Sequence, residues 1–160
     1  MLFRSVTPQS WDRCFAVNTR GTFFLAQQVA RRMVAADAPR RGARSITFIS
    51  SANAFLASPD RAEYTASKSA TSMLARLFAL RLAEDGVAVH DIRPGVIRTE
   101  MTAPVADAYS ARIEAGLSPI RRWGEPEDVG RAVALLASGA WPFSTGDSFH
   151  IDGGLHVPRL

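Results

Sequence analysis

Short apolar, β-branched segments alternate along this chain with long helical patterns, and this alternation constrains the fold more than any other feature. Residues 45–50 and 87–92 each predict a buried strand, and a helical pattern over about 62–84 lies between them. A further helix is predicted from Pro126 to about residue 139, followed by a last short strand over 147–151. Strand–helix–strand units at this spacing predict an α/β fold with a parallel sheet.

Two more helical segments accompany these units. Thr7 and Pro8 predict a capped helix start, and the pattern continues to about residue 36 with a bend near Gly21. Residues 101–117 are ambiguous and predict a mobile, helical flap, whereas 39–43 predict a polar loop. The side chains expected to be buried are Trp11, Phe15, Phe23, Val29 and Met33 in the first helix, and Ala66, Ala70, Met73, Leu74 and Leu77 in the helix over 62–84, which Gly86 closes.

Composition excludes several classes of protein. The 160 residues form at most one domain, and 47% hydrophobic with 21% charged residues is typical of a soluble globular chain. No stretch reaches the roughly 18 consecutive apolar residues of a membrane-spanning helix, and no secretory signal is expected. One cysteine, Cys14, excludes an internal disulfide and is typical of the cytoplasm. The net charge of +4 comes from scattered arginines, so nucleic-acid binding is not expected. No zinc-ligand spacing is present either, and no metal site is expected.

Lys68 is the only lysine among 19 cationic side chains, and it follows Tyr64 by four positions. Residues at i and i+4 share one face of a helix, so the ammonium is placed to favour the ionised phenol. Taken alone, a single lysine is equally explained by codon bias and chance. Ser50 and Ser51 end the first predicted strand, and residues 94–99 leave the next one. Both therefore emerge at the carboxyl edge of the sheet, where α/β proteins bind ligands.

With these motifs the chain resembles the short-chain dehydrogenase/reductase family, close to 3-oxoacyl-carrier-protein reductases. The resemblance covers nearly the whole chain in family order and rests on Val17-Asn18-Thr19, Ile49-Ser50-Ser51, Tyr64-Thr65-Ala66-Ser67-Lys68, the segments 94–101 and 122–129, and Asp152-Gly153-Gly154. It implies a Rossmann-like parallel sheet with flanking helices. The implied activity is an NAD- or NADP-dependent interconversion of a small-molecule ketone and its secondary alcohol.

The resemblance also implies catalytic roles. Tyr64 is the expected general acid/base, and Lys68 supplies the charge beside it and binds the nicotinamide ribose. Ser51 is expected to donate a hydrogen bond to the substrate oxygen, with Ser50 as the neighbouring candidate. Asn18 is expected to hold a water that links Lys68 to solvent, although an asparagine in a helix also bonds its local backbone.

A cofactor loop is implied as well. The nicotinamide carboxamide is expected to bind chiefly to the backbone of Ile97 and the hydroxyl of Thr99, which could instead cap the following helix. The expected cofactor-binding residues are Tyr64, Lys68, Pro94, Gly95, Ile97 and Thr99.

The sequence departs from the family in two places. No glycine-rich turn precedes Asn18, because all eleven glycines fall from Gly21 onward. Residues 1–160 are therefore expected to be one partial, N-terminally truncated domain that lacks roughly 90 residues, at about 30 per β-α repeat. His90 stands where the family usually has asparagine, and a structural role is expected for it.

This truncation leaves two functions open. The first is the oxidoreductase, and the second is an inactive remnant or association module that docks onto another chain. A homo-oligomer through the two long helices is expected, with an unpaired parallel edge on the first strand. The residue that selects NAD or NADP is not expected within this chain.

Overall fold

The computed structural model describes residues 5–35, 37–38 and 42–159. The predicted first helical segment is described up to residue 35, whereas residues 1–4, 36, 39–41 and 160, and with them most of the predicted loop 39–43, lie outside the described part. The elements are α1 (Pro8–Phe15), a π-helical segment (Ala16–Gly21), α2 (Thr22–Val34), β1 (Ser45–Ile49), 3-10 turns at Ala52–Ala54 and Pro59–Arg61, α3 (Ala62–Leu82), β2 (Ala88–Pro94), a 3-10 turn at Ala103–Val105, α4 (Ala106–Glu114), α5 (Pro126–Ala137) and β3 (Ser148–Ile151).

The three strands form a parallel sheet in the order β1-β2-β3, which confirms the predicted fold class. Ile49 pairs with Ile92 across the first ladder, and Asp91 pairs with Ser148 across the second. β2 is the central strand, and Val89 and Ile92 are fully buried within it. It runs two residues beyond the predicted end at 92 and finishes on Pro94, where a strand tolerates a missing N–H.

Helix α3 packs on the sheet through small side chains, and this corrects the predicted apolar stripe. Its buried residues are Ser67, Thr71, Ser72, Ala75, Ala79 and Leu82. By contrast, Met73 and Leu77 are 50% and 54% exposed, while Leu74 packs against the core. The helix backbone approaches the strands closely, so small residues face the sheet and the larger side chains point away from it.

The first helical segment is continuous but changes its hydrogen-bond pattern at the predicted bend. Thr7 caps α1 in a reciprocal pair with Ser10, and Pro8 takes the first helical position, as predicted. Phe23 packs edge-on against Phe78 of α3 with ring centroids 5.7 Å apart. Trp11 and Val29 are exposed, which contradicts their expected burial, because the described elements cover only the other face of these helices.

A buried ion pair ties α3 to the central strand. The Asp91 carboxylate accepts from the Arg93 guanidinium at 3.0 Å and from the Ser72 hydroxyl at 2.7 Å. Ser148 of β3 donates to the same oxygen at 3.2 Å. His90 faces the other side of the same strand, where it is 1% exposed and meets Phe149 edge-on at 5.6 Å, and burial lowers its pKa, which fits the structural role expected for it.

The flap segment 101–117 contains a 3-10 turn and α4, so its predicted helical content is confirmed. No helix in the described part of the chain is long and apolar enough to cross a membrane.

Candidate active site at the carboxyl edge of the sheet

Two serines follow β1, and their hydrogen bonds differ. Ser50 is held within the sheet, because its N–H and its hydroxyl both donate to the carbonyl of Ile92, at 2.9 and 3.4 Å. Ser51 caps the 3-10 turn behind it, and its hydroxyl oxygen accepts from the N–H of Asn53 at 3.1 Å. The Ser51 hydroxyl proton therefore remains available to a ligand, whereas the Ser50 proton is committed to the backbone.

Tyr64 and Lys68 lie in the first two turns of α3. The Lys68 Nζ is 5.8 Å from the centroid of the Tyr64 ring. It also donates to the carbonyl of Ile49, the last residue of β1, at 3.1 Å. Burial lowers the pKa of Lys68, and electrostatic interaction, chiefly with the Asp91 carboxylate, partly offsets that effect. The predicted pair is thus brought together at the edge of the sheet.

Asn18 lies in the π-helical segment and contacts α3 from the other side. Its side-chain amide donates to Ser67 Oγ at 3.0 Å, and Ser67 donates to the carbonyl of Tyr64 at 2.8 Å. The Asn18 carbonyl accepts from the Thr71 hydroxyl at 2.8 Å. Helical π segments often occur at functional sites, and here the segment couples Asn18 to the helix that carries Tyr64.

The loop after β2 rests on the loop after β3. The N–H of Gly95 donates to the carbonyl of Ile151 at 3.0 Å. A Cβ at position 95 would lie 2.7 Å from the Cα of Asp152, so only glycine allows this approach. Ile97 then forms a parallel β-bridge with Gly124, and the backbone carbonyl of Ile97 accepts from the Thr102 hydroxyl at 2.9 Å.

Two groups of this loop can hold a ligand. The N–H of Ile97 has no hydrogen-bond partner within the described residues. The Thr99 side chain is exposed, its hydroxyl meets the Thr102 hydroxyl at 3.3 Å as its one hydrogen bond within the described residues, and it does not cap the following turn. An unpaired N–H and an exposed hydroxyl at this edge, with the Lys68 ammonium, suit the amide and ribose hydroxyls of a nicotinamide nucleoside.

Helix α4 lies over the start of α3. Arg61, three residues before Tyr64, donates to the Tyr109 hydroxyl at 2.5 Å. The Tyr109 ring meets Trp123 edge-on at 6.0 Å, and the Trp123 indole N–H donates to Ser110 at 3.1 Å. These contacts join the flap segment to the turn just before α3 and to the segment around Trp123.

Comparison with known proteins shows the family to which this chain belongs. The family model described as Enoyl-(Acyl carrier protein) reductase matches residues 2–156. The chain belongs to the short-chain dehydrogenase/reductase family. Versicolorin reductase 1 of Aspergillus parasiticus is 35% identical over 162 residues, which cover 94% of this chain and 60% of that protein. The structure of 3-oxoacyl-[acyl-carrier protein] reductase from Brucella melitensis in complex with NAD aligns at 46% identity with a TM-score of 0.97, covering 100% of this chain and 63% of that one.

Other short-chain dehydrogenase/reductase relatives act on different compounds. The (3R)-3-hydroxyacyl-CoA dehydrogenase of Mus musculus is 33% identical over 152 residues, covering 95% of this chain and 57% of that protein. A structure of 4-hydroxyisoleucine dehydrogenase complexed with NADH aligns at 29% identity with a TM-score of 0.87, covering 99% of this chain and 65% of that one. This chain therefore spans about three fifths of the length of the relatives that it matches.

The sequence analysis missed one cluster of polar side chains. His150, Asp152 and His156 lie together at the end of β3 and line a cavity of about 360 Å³. Burial lowers the pKa of His150, and the neighbouring His156 acts in the same direction. The sequence signal is the spacing His-x-Asp-x-x-x-His, of which only Asp152-Gly153-Gly154 entered the sequence analysis, as a motif of the family resemblance.

Proposed function

We propose that this protein is an NAD- or NADP-dependent oxidoreductase that interconverts a ketone and a secondary alcohol. The observation that carries the proposal is the Tyr64–Lys68 pair, fixed at the carboxyl edge of the sheet by the bond from Lys68 to the Ile49 carbonyl. Ser51, with its free hydroxyl proton, lies at the same edge. Membership of the family supports the reaction class, and solved relatives carry NAD or NADP.

Tyr64 moves the proton in this mechanism. In reduction its hydroxyl gives a proton to the substrate oxygen, and in oxidation its phenolate takes one from the alcohol. The Lys68 ammonium lies 5.8 Å from the centroid of the Tyr64 ring, where its positive charge can stabilise negative charge that develops beside it.

The other residues bind and orient. Ser51 donates to the substrate oxygen and stabilises charge that develops there. Lys68, the Ile97 N–H and the Thr99 hydroxyl would hold the nicotinamide end of the cofactor, which supplies or accepts the hydride when bound. Asn18 fixes the position of α3 through Ser67, and a water on its side-chain oxygen would carry the proton towards solvent.

The proposal extends to the partners of the chain. Apolar side chains on the outer faces of α2 and α3 are exposed, among them Phe24, Leu25 and Leu77, and Leu80 is 81% exposed. Such a patch marks a protein contact, so we propose a homo-oligomer that buries these two helices. The substrate is a small carbonyl compound or alcohol, and a reducing, cytoplasmic location fits the single cysteine.

A second candidate function is a non-catalytic association module. Among the described residues no strand pairs with the outer edge of β1, and Ile49 at its end is 41% exposed. An open parallel edge is a template for pairing with another chain. This candidate predicts assembly without cofactor binding.

A cofactor titration separates the two candidates. Purified protein is titrated with NADH and NADPH by calorimetry, and a panel of ketones is then tested for consumption of the bound nucleotide. The oxidoreductase predicts saturable binding and ketone reduction that Tyr64→Phe abolishes without loss of binding. No binding at millimolar nucleotide, together with oligomers in analytical ultracentrifugation, would instead establish the association module.

A further inference from the structure

We propose that His150, Asp152 and His156 form a binding site for a divalent transition-metal ion, best matched by Zn²⁺. The three residues follow one another at the end of β3, and neither the proposed reaction nor its cofactor loop uses their side chains. The site does not depend on the proposed oxidoreductase activity.

The backbone after β3 brings the two imidazoles together. Gly153 and Gly154 both have positive φ, 65° and 83°, and they reverse the chain within four residues. His156 then stacks on His150 with ring centroids 3.7 Å apart and an interplanar angle of 21°. This places both Nδ1 atoms on the same side, facing the carboxylate of Asp152.

The donor atoms have the spacing of a metal site. Asp152 Oδ2 lies 2.8 Å from His156 Nδ1 and 3.5 Å from His150 Nδ1. All three donors lie within 4.8 Å of one another. Two donors at the usual zinc distances and a tetrahedral angle are roughly 3.3–3.4 Å apart. Binding an ion also requires the two stacked imidazole rings to rotate until their in-plane lone pairs converge on it.

The chemistry of the donors selects the ion. Two imidazole nitrogens and one carboxylate oxygen form a ligand set found in catalytic Zn²⁺ sites, whereas Mg²⁺ and Ca²⁺ prefer oxygen ligands. His150 Nδ1 is buried, and the Asp152 oxygen 3.5 Å away is too distant to make a good hydrogen bond with it. A bound ion would give this nitrogen a close ligand contact.

The carboxylate is already oriented for this role. The N–H of Gly154 donates to Asp152 Oδ1 at 2.9 Å, and the N–H of His156 donates to Oδ2 at 3.1 Å. Outer hydrogen bonds of this kind orient metal ligands in proteins. The Asp152 side chain is 1% exposed, so its position is fixed.

One neighbouring cation, Arg93, disfavours metal binding at this site. Arg93 Nη1 lies 3.4 Å from His150 Nε2, and a guanidinium can only donate. Metal binding at Nδ1 places the ring proton on Nε2 and turns this contact repulsive. The Asp91 carboxylate, 3.0 Å from Arg93, offsets that charge, so we expect binding weaker than in a closed structural zinc site.

The consequence of binding is structural. Asp152 is the residue against which Gly95 packs, so an ion held here would fix the loop on which the proposed nicotinamide loop rests. Arg122 and Asp128 line the same cavity but pair with each other at 2.6 Å, so they do not compete for the ion.

Calorimetric titration of tag-free protein with Zn²⁺ tests the proposal, with Co²⁺ absorption as a report on the ligand set. We expect one ion per chain, a Co²⁺ spectrum typical of nitrogen and oxygen ligands, and at least about a tenfold loss of affinity in His150→Gln and in His156→Gln. Asp147→Asn, an exposed carboxylate at the other end of β3, is the matched control and should bind as the wild type does.

Circular dichroism checks that each variant is folded. If His150→Gln fails to fold, His156→Gln decides, because that side chain is partly exposed. Absence of binding by the wild type overturns the proposal, as does equal affinity in the wild type and in His156→Gln.

Discussion

The close approach of Gly95 to Asp152 predicts a large effect from the smallest possible substitution. In Gly95→Ala the new Cβ would lie 2.7 Å from both the Cα and the Cβ of Asp152. Carbon atoms pack at about 3.5–4.0 Å, so the overlap is roughly 1 Å against backbone that cannot rotate away. The N–H of Gly95 also bonds to Ile151, so relief of the overlap pulls on that bond.

Two opposing effects set the change in the free energy of unfolding of Gly95→Ala. Overpacking of this kind typically costs about 1–3 kcal/mol. Gly95 does not have a positive φ, so alanine fits its backbone and gains about 0.4–1 kcal/mol through the unfolded chain. The net loss in the free energy of unfolding is therefore about 1–2 kcal/mol.

Urea denaturation followed by circular dichroism measures this loss. With a slope of about 2 kcal/mol/M, the midpoint should fall by roughly 0.5–1 M. Gly130→Ala is the matched control, because a Cβ there meets nothing within 4 Å and the residue lies inside α5. It should gain about 0.5–1 kcal/mol from helix propensity. An unchanged or raised midpoint in Gly95→Ala would refute the packing of the two loops.

Three further predictions follow from named contacts. Tyr64→Phe should lower turnover about 10²–10⁴-fold in steady-state kinetics while nucleotide binding persists; undiminished turnover would remove Tyr64 from proton transfer. Arg93→Met leaves the buried Asp91 carboxylate without its partner and should cost about 3–5 kcal/mol in urea denaturation, and a negligible change would contradict the buried ion pair. The hydrogen bond from Arg122 lowers the Asp128 pKa from 3.8 to about 2. The contribution of this ion pair to the stability of the folded protein is therefore present above pH 3.8 and lost as the pH falls through about 2. Thermal melts of Asp128→Asn should not show this loss of stability at acid pH. An identical pH dependence of the melting temperature in the variant and the wild type would argue against the ion pair.

The periodicity of the chain was sufficient to predict the sheet and the helices. Strands are local apolar runs whose ends are marked by Pro94 and by the serines after β1, and these signals do not depend on distant residues. The Tyr64–Lys68 pair was also predictable, because both residues lie on one helix and their separation is set by the helical repeat.

Other features depend on contacts that sequence patterns do not encode. The face of α3 that meets the sheet is made of Ser67, Thr71 and Ala75, so hydrophobicity pointed to the wrong stripe. The bond from Lys68 to Ile49 and the one from Arg61 to Tyr109 join distant segments. The histidine cluster depends on the turn at Gly153 and Gly154, which stacks two rings six positions apart.

Above all, we propose that Lys68 and the loop after β2 bind the nicotinamide end of a dinucleotide beside Tyr64. Titration with reduced nicotinamide mononucleotide, followed by saturation-transfer NMR, tests this claim directly, because the ligand requires only that end of the site. Lys68→Met removes a charge-assisted bond and should weaken binding about tenfold or more, whereas Arg76→Met, an exposed cation on the same helix, should bind as the wild type does. Equal binding by the wild type and Lys68→Met, or no binding by the wild type at millimolar ligand, would contradict the claim.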